Sequence, residues 1–261
     1  MHALAHELRL FGVALQFLTR VPLRFVHWHD DWLQASARHF AGVGLLVGGF
    51  GALVLWAAAH VFGGFLAVLL SVVATVWLTG AFHEDGLADT FDGLGGSADR
   101  ERALAIMKDS RLGTYGTVAL LSVLALKVAA LHALAVRDLL AVLALLPLGH
   151  AVSRAATVGL LAVLPYAGDA GHAKAKPLAQ RADGLTLLVT AAWVLIAFGA
   201  AAPFVPADAL LAAALAAPAA LWAMGRWLRR RLGGFTGDTL GATQQLVELA
   251  MLLAALAALS R

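Results

Sequence analysis

The segment "FHEDGLADTFDGLGG", Phe82–Gly96, places four acids within nine positions of a chain that is otherwise rich in Ala, Leu, Val and Gly. If the segment continues the apolar helix before it, Asp85, Asp89 and Asp92 are spaced i, i+4 and i+7 and share one face. Close acids repel one another, and the partial negative charge at a helix C-terminus adds to that cost. A divalent cation relieves both effects, and Mg²⁺ is usually held by one or two carboxylates together with substrate phosphates. We therefore predict a Mg²⁺ site on these three aspartates, with a solvated acidic loop as the alternative.

The two residues at the start of this segment are less decisive. Glu84 points away from the aspartate face in the helical arrangement, so it is the weakest candidate ligand. His83 is either a general base or a simple hydrogen-bonding residue at the edge of an apolar helix, and its type alone does not separate the two roles.

Basic residues follow the acids in "AIMKDSRLGTYG", Ala105–Gly116. Lys108 and Arg111 are three positions apart and share a face if this stretch is helical. Positive groups beside a metal site suit phosphoryl transfer, because charge spreads over the non-bridging oxygens; ordinary membrane anchors are the alternative. Arg154 lies inside an apolar run, where an ionisable side chain usually pairs, lines a cavity or binds a ligand. We predict a substrate phosphate or a carboxylate as its partner.

A third polar stretch is "RRRLGGFTGDTLGA", Arg229–Ala242. Its arginine run is typical of a lipid-facing anchor. The glycines that follow allow the backbone to approach a ligand closely. Asp238 stands just before the last apolar run, where it is either a further metal or substrate ligand or a helix N-cap.

Several classes of site are excluded. The chain contains no Cys, which removes disulfides, thiolate metal sites and a Cys nucleophile. It contains no Walker A, GxGxxG, HExxH or GxSxG pattern, so P-loop, dinucleotide-binding, zincin and hydrolase-elbow functions are not indicated.

The composition predicts the elements that position these residues. Of the 261 residues, 61% are apolar and 13% charged, and the mean hydropathy is +0.82. A soluble domain has about a quarter of its residues charged, so we predict an all-α, polytopic membrane protein with a single domain, 1–261. The predicted transmembrane helices number about seven: 41–60, 64–82, 116–135, 139–163, 185–204, 208–225 and 239–260.

The shorter apolar stretch 4–19, which carries Glu7 and Arg9, is predicted to be an interfacial helix. Basic residues concentrate in alternate polar segments, 1–40, 83–115, 164–184 and 226–238, which hold four, four, three and four of them. The positive-inside rule then places the N-terminus and all four segments in the cytoplasm. Because the basic residues are scattered through these segments, a nucleic-acid partner is not indicated, and a homo-oligomer is left open.

The motifs "HEDGLADTFDG", "IMKDSRLGTYG" and "LGGFTGDTLGA", with "FLTRVP" near the N-terminus, closely resemble the cobalamin synthase (adenosylcobinamide-GDP ribazoletransferase) family in order and spacing along nearly the whole chain. The resemblance implies a multi-pass enzyme of the bacterial inner membrane that requires Mg²⁺. Its reaction joins adenosylcobinamide-GDP to α-ribazole or its 5′-phosphate and releases GMP. The loop "PYAGDAGHAKAK" lacks the Arg that often follows Tyr-Ala in the family, so no role is assigned to Lys174 or Lys176.

The resemblance also implies site residues. The family motifs match this sequence at His83, Asp85, Gly86, Asp89, Thr90, Asp92, Gly93, Lys108, Asp109, Ser110, Arg111, Arg154, Thr236, Gly237 and Asp238. Asp85, Asp89 and Asp92 would hold Mg²⁺ across the pyrophosphate. His83 or one of the carboxylates Asp85 and Asp89 would take the hydroxyl proton. The substrate-binding set would be Lys108, Arg111, Arg154, Thr236 and Asp238.

Three rival classes are disfavoured. A CDP-alcohol phosphotransferase would carry a D-G-x-x-A-R pattern, which is absent, and a UbiA-type prenyltransferase would carry two Asp-rich motifs, whereas one is present. A transporter would place its site near the bilayer midplane, often in inverted repeats. Here the acids lie at the edge of an apolar run and no repeat is visible.

Overall fold

The protein is described by a computed structural model that covers residues 2–23, 30–168 and 180–260. Within these ranges it is helical, without β-strands; one isolated parallel bridge joins Tyr166 and Phe235. The helices are α1 (His2–Leu18), α2 (Asp30–Ser36), α3 (Phe40–Ala59), α4 (Gly64–Thr79), α5 (Phe82–Gly96), α6 (Arg100–Met107), α7 (Thr114–Arg137), α8 (Leu139–Val163), α9 (Gly184–Ala201), α10 (Ala207–Leu232) and α11 (Gly237–Ala258). A 3₁₀ turn, Ala37–His39, joins α2 to α3. Lys174 and Lys176 lie outside the described residues.

The predicted polytopic helical architecture is confirmed. Six segments of the described chain are long and apolar enough to cross a membrane. They are Asp31–Ala59, Thr114–Arg137, Leu139–Val163, Gly184–Ala201, Ala207–Leu232 and Gly237–Ala258. Each overlaps a predicted span. The predicted N-terminal helix 4–19 corresponds to α1, whose position relative to a bilayer stays a prediction.

The predicted seventh span, 64–82, differs from the rest. α4 ends after 16 residues, or about 24 Å, which is shorter than the hydrocarbon layer of about 30 Å. Gly80 (φ +69°) and Ala81 (φ +60°) then adopt the left-handed conformation, and α5 leaves at 87° to α4. α4 and α5 together therefore form one broken span or a re-entrant segment.

This bend changes the surroundings of the acidic motif. α5 runs without interruption from Phe82 to Gly96, so Gly86 and Gly93 do not break it. Glu84 and Asp85 lie in its first turn. The expectation that the acids follow a helix C-terminus is wrong, because the chain starts a new helix there and the positive end of that helix dipole favours acids.

Close backbone packing holds the bundle together. α3 crosses α8 at Gly44 and Gly48, where an added Cβ would collide with backbone atoms of His150 and Pro147 respectively. Two apolar clusters fill the interior on either side of these crossings. α11 lies between α5, α7, α8 and α10, and its side chains are largely buried.

Hydrogen bonds join the polar segments to one another at one face of the bundle. Arg100, at the start of α6, donates to the carbonyls of Leu232 and Ala167 at 2.8 and 3.0 Å. Arg231 at the end of α10 donates to the carbonyls of Leu94 and Ser97 at the end of α5. Through these bonds, three of the four segments that were predicted to share one membrane face contact each other, namely 83–115, 164–184 and 226–238. Which side that face occupies stays a prediction.

Candidate active site

The acidic helix α5 meets α11 through two glycines. An added Cβ at Gly86 would lie 2.6 Å from the carbonyl oxygen of Asp238, and one at Gly241 would lie 3.1 Å from the carbonyl oxygen of His83. Only a residue without a side chain permits this approach. It brings Asp238 into electrostatic contact with Asp85 and Asp89. The first two motif aspartates and Asp238, separated by about 150 positions in sequence, therefore form one acidic surface.

Asp92 is placed differently from the other two aspartates of the motif. Its side chain is buried, and its oxygens accept hydrogen bonds from the backbone N–H groups of Gly113 at 2.7 Å and Gly116 at 2.8 Å. These groups belong to the N-terminus of α7, where unpaired backbone donors require acceptors. Asp92 thus joins α5 to α7, and its predicted role as a metal ligand stays a prediction that this geometry does not favour.

Whether a divalent cation fits this site depends on which carboxylates are not already buried and hydrogen-bonded. Among the described residues, no three His, Asp or Glu side chains converge as a ready metal-binding group. Asp85 is exposed and Asp89 and Asp238 are half-buried, whereas Asp92 is buried. Hard oxygen donors of this kind, completed by phosphate oxygens and water, match the coordination that Mg²⁺ prefers. The better-fitting set is therefore Asp85, Asp89 and Asp238, rather than the contiguous triad of the motif.

The two basic residues of the second motif do not share a helical face. α6 ends at Met107, Lys108 is its C-cap, and Arg111 lies in the following loop. The expectation of a helical pair is wrong because the chain turns there toward the glycines that bind Asp92. Both side chains are exposed. Hydrogen bonds from Arg111 lower the pKa of Asp109 to about 2, so this carboxylate is ionised at neutral pH and orients the guanidinium.

The third motif contains a capping box, and this settles one alternative. The Thr236 hydroxyl accepts from the N–H of Thr239, whose hydroxyl in turn accepts from the N–H of Thr236. Thr236 is therefore the N-cap of α11, and Asp238 is its second residue. The N-cap alternative for Asp238 is wrong, and its carboxylate remains a candidate ligand. A substrate contact by Thr236 stays a prediction.

His83 and Arg154 face the interior instead of the acidic surface. His83 is 4% exposed and Arg154 is 2% exposed. One Arg154 Nη donates to the Nδ1 and the carbonyl of His150 at 3.1 and 3.0 Å, whereas its Nε has no partner. His150 Nδ1 also lies 3.6 Å from a Glu248 oxygen. The predicted carboxylate partner of Arg154 is thus approached through a histidine, and no hydrogen bond or ion pair joins Arg154 to the aspartates of α5 among the described residues.

The motif "FLTRVP" has a structural place that the sequence did not indicate. The backbone N–H of Arg20 donates to the carbonyl of Leu78 at 2.8 Å. Its side chain covers Gly80, where an added Cβ would lie 2.6 Å from Arg20 Nε. Arg20 therefore packs on the bend that separates α4 from α5.

A buried polar network was also missed. It joins α5, α7, α8 and α11 and consists of Glu84, Lys127, His150, Ser153, Arg154, Gln244, Gln245 and Glu248. The segment "GATQQLVELA" did carry a signal, since three polar residues within an apolar span mark interior or functional positions. Lys127 of α7 pairs with Glu248 of α11 at 3.1 Å.

Comparisons with known proteins agree with this architecture. A family model described as cobalamin-5-phosphate synthase matches residues 10–256. A protein from Leptothrix cholodnii named adenosylcobinamide-GDP ribazoletransferase is 56% identical, covering 98% of each chain. Proteins of the same name from Albidiferax ferrireducens and Vibrio cholerae are 43% and 42% identical over 94% and 97% of this chain, and 96% and 95% of their own lengths. No solved structure matches. With the family model spanning most of the chain and relatives above 40% identity, this protein belongs to the cobalamin-5-phosphate synthase family of transferases.

Proposed function

We propose that the chain transfers the adenosylcobinamide-phosphate group of adenosylcobinamide-GDP to the ribose 3′-hydroxyl of α-ribazole, or of its 5′-phosphate, in a Mg²⁺-dependent reaction. Relatives that match nearly the whole chain are named adenosylcobinamide-GDP ribazoletransferase, and this supports the substrate pair. The observation that carries the site is the crossing of α5 and α11 at Gly86, which sets Asp85 and Asp89 beside Asp238. An accessible acidic surface of this kind suits a reaction between phosphate groups.

The chemistry balances without another reactant. The 3′-oxygen forms a bond to the phosphorus attached to the cobinamide side chain, and the bond from that phosphorus to the bridging oxygen of the pyrophosphate breaks. GMP leaves with that oxygen, and the proton of the hydroxyl passes to a base. The product is adenosylcobalamin or its 5′-phosphate.

Asp85, Asp89 and Asp238 would hold the cation. Bound there, Mg²⁺ would neutralise charge on the pyrophosphate oxygens. A carboxylate of this surface, Asp85 or Asp89, is better placed than His83 to accept the proton, since His83 is buried.

The positive charge that the transferred phosphates require would come from the loop after α6. Lys108 and Arg111 are exposed there, and the same loop ends at Gly113, whose backbone N–H donates to Asp92 of α5. Arg154 is left out of the direct phosphate contacts, because its guanidinium is enclosed by the bundle.

The site would face the cytoplasm of a bacterial inner membrane. The basic residues of the four polar segments support this orientation through the positive-inside rule. Since the chain has no native Cys, single cysteines at exposed positions of these segments can be tested for labelling in intact cells. Labelling by an impermeant reagent added outside would overturn the orientation.

The decisive experiment measures GMP release by purified protein given adenosylcobinamide-GDP, with and without α-ribazole, in Mg²⁺ and in EDTA. Release that requires both α-ribazole and Mg²⁺ is expected. Release without α-ribazole would indicate hydrolysis of the pyrophosphate instead. Release that persists in EDTA would remove the metal from the proposal.

A further inference from the structure

The inner ends of four side chains meet where α5, α7 and α11 come together. Glu84, Lys127, Gln245 and Glu248 are all buried, with 8%, 4%, 2% and 2% of their surfaces exposed. Buried charges of this kind are costly unless they are paired and hydrogen-bonded. The geometry of their bonds shows what this arrangement achieves.

The side-chain amide of Gln245 is held in one orientation. Lys127 Nζ donates to its Oε1 at 2.8 Å, and its Nε2 donates to Glu84 Oε1, also at 2.8 Å. An ammonium group only donates and a carboxylate only accepts, so a flipped amide would lose both bonds. Lys127 therefore forces the donating end of Gln245 toward Glu84.

Glu248 fixes Lys127 in turn. Its Oε1 lies 3.1 Å from Lys127 Nζ, and its Oε2 accepts from Gln244 Nε2 at 2.7 Å. Gln244 also bonds Ser153 of α8 at 2.9 Å. The orientation of the Gln245 amide is thus set by groups on α7, α8 and α11, none of which belongs to the acidic helix.

Glu84 connects the oriented Gln245 amide to the acidic surface. It precedes Asp85 directly and points inward while Asp85 points outward. At Gly86 and Gly241 the backbones of α5 and α11 approach each other without an intervening side chain. Among the described residues, the bond from Gln245 to Glu84 is the side-chain hydrogen bond that joins α5 to α11.

We propose that Gln245 is a positioning residue that sets the rotation of α5, and thereby the spacing of Asp85 and Asp89 from Asp238. Its amide acts through Glu84 and touches no reacting atom. The inference deepens the proposed function, on which its activity readout rests. The measured position of α5 tests the inference without relying on that function.

The test exchanges donor and acceptor. Gln245→Glu places a second carboxylate against Glu84, and repulsion should displace α5. Adding Glu84→Gln restores the net charge: the introduced amide at position 84 donates to the introduced carboxylate at position 245, which also accepts from Lys127. If the network only stabilised the fold, the position of α5 would not be expected to change in Gln245→Glu and to return in the exchanged pair.

The matched control is Ser153→Ala, which removes a buried hydroxyl of the same network without adding charge. It takes one acceptor from Gln244 Nε2. Gln244 keeps its bond to Glu248 Oε2 at 2.7 Å, so the bond between Glu84 and Gln245 is left in place. Gln245→Met removes all three hydrogen bonds of the amide, including the one that it donates to Gln244 Oε1 at 3.0 Å, without adding charge. It serves if Gln245→Glu does not fold.

The position of α5 is measured by the distance between spin labels at Gly96→Cys and Gly237→Cys, which are unique because the chain has no Cys. Both positions are exposed; nothing lies within 4 Å of an added Cβ at Gly237, and only Ile106 Cδ1 at 3.3 Å contacts one at Gly96. Gln245→Glu, or Gln245→Met in its place, should shift or broaden the distance distribution. The exchanged pair and Ser153→Ala should match the parent.

GMP release and its Mg²⁺ dependence are measured on the unlabelled variants. Gln245→Glu should lower turnover about tenfold or more and raise the Mg²⁺ concentration for half-maximal rate, because displaced ligands lose alignment. The exchanged pair should recover to within about threefold of the parent. An unchanged label distance in both Gln245 variants would overturn the inference, as would an exchanged pair no better than Gln245→Glu. A parent without activity would overturn the proposed function, whereas the label distances would still decide the positioning role.

Discussion

The carboxylate of Asp92 accepts a hydrogen bond from the backbone N–H of Gly116, 24 positions further along the chain. With the parallel bond from Gly113, it fastens the middle of the acidic helix to the first turn of α7. Added Cβ atoms at either glycine would collide with this carboxylate. The glycines of "RLGTYG" thus make room for an acid of the first motif, and the two motifs form one unit.

Asp92→Asn and Asp89→Asn should therefore differ. In Asp92→Asn, the amide oxygen still accepts one backbone hydrogen bond, but the amide NH₂ group faces the other backbone N–H. The loss of that bond should cost about 1–3 kcal/mol of stability. Asp89→Asn should abolish GMP release without a comparable loss, because Asp89 is half-buried and belongs to the proposed ligand set. Thermal unfolding in detergent and activity assays on both variants provide the measurement. Full activity in Asp89→Asn would remove Asp89 from the ligand set.

Gly86→Ala should separate α5 from α11. The new methyl group would lie 2.6 Å from the carbonyl oxygen of Asp238, so the helices must move apart at a cost of about 1–3 kcal/mol, and activity should fall with the displaced aspartates. Gly237→Ala is the matched control, because an added Cβ there meets nothing within 4 Å. Equal behaviour of the two variants in unfolding and GMP-release assays would contradict the tight crossing.

Glu248→Ala should be among the most destabilising single changes. It leaves Lys127 buried without its carboxylate, and removing one partner of a buried pair costs about 3–5 kcal/mol. Lys127→Met combined with Glu248→Leu should recover much of that stability, because no isolated charge remains. The unfolding midpoints of the two variants test this, and a double variant less stable than Glu248→Ala would refute it.

Arg111→Ala should weaken substrate binding without unfolding the protein. Its side chain is 87% exposed and pairs with the neighbouring Asp109, so little packing is lost. The low pKa of Asp109 keeps that carboxylate ionised above about pH 2, and the pair would be lost only as the pH falls through that value. Between pH 6 and 8, the range of the assay, the KM ratio of Arg111→Ala to the parent should therefore be constant. A KM equal to that of the parent would exclude Arg111 from the substrate contacts.

Mg²⁺ removal should be reversible. EDTA should stop GMP release, and added Mg²⁺ should restore it, because the aspartates that would bind the ion are accessible and no described backbone contact requires it. The unfolding temperature should change little, in contrast to a structural metal site. Irreversible loss of fold in EDTA would indicate a structural role for the cation instead.

Composition and periodicity were sufficient for six of the seven predicted membrane-spanning helices and for the shared face of Asp85 and Asp89. They were not sufficient for the bend at Gly80 and Ala81, because Ala rarely takes the left-handed conformation and gives no local signal for it. The bend depends on packing, since Arg20 from the N-terminal segment covers it.

The composition of the site was harder to predict than its location. Asp92 matches the spacing of a metal ligand, but its partners are backbone N–H groups of another helix, which no side-chain pattern encodes. The approach of Asp238 required knowledge of how α5 and α11 cross. The polar residues Gln245 and Glu248 were visible as anomalies within an apolar span, but their pairing with Lys127 follows only from the packing of α11 against α7.

The right angle between α4 and α5 has a consequence for depth. Along a helix that crosses a bilayer, seven residues from Asp85 to Asp92 would descend about 10 Å. A helix turned through 87° from such a crossing runs in the plane of the bilayer, so its acids share one level. If α4 follows the bilayer normal, α5 lies parallel to the bilayer plane, at the boundary between lipid and water. A bulky, water-soluble substrate can then bind its phosphates along α5 without any part of it entering the hydrocarbon.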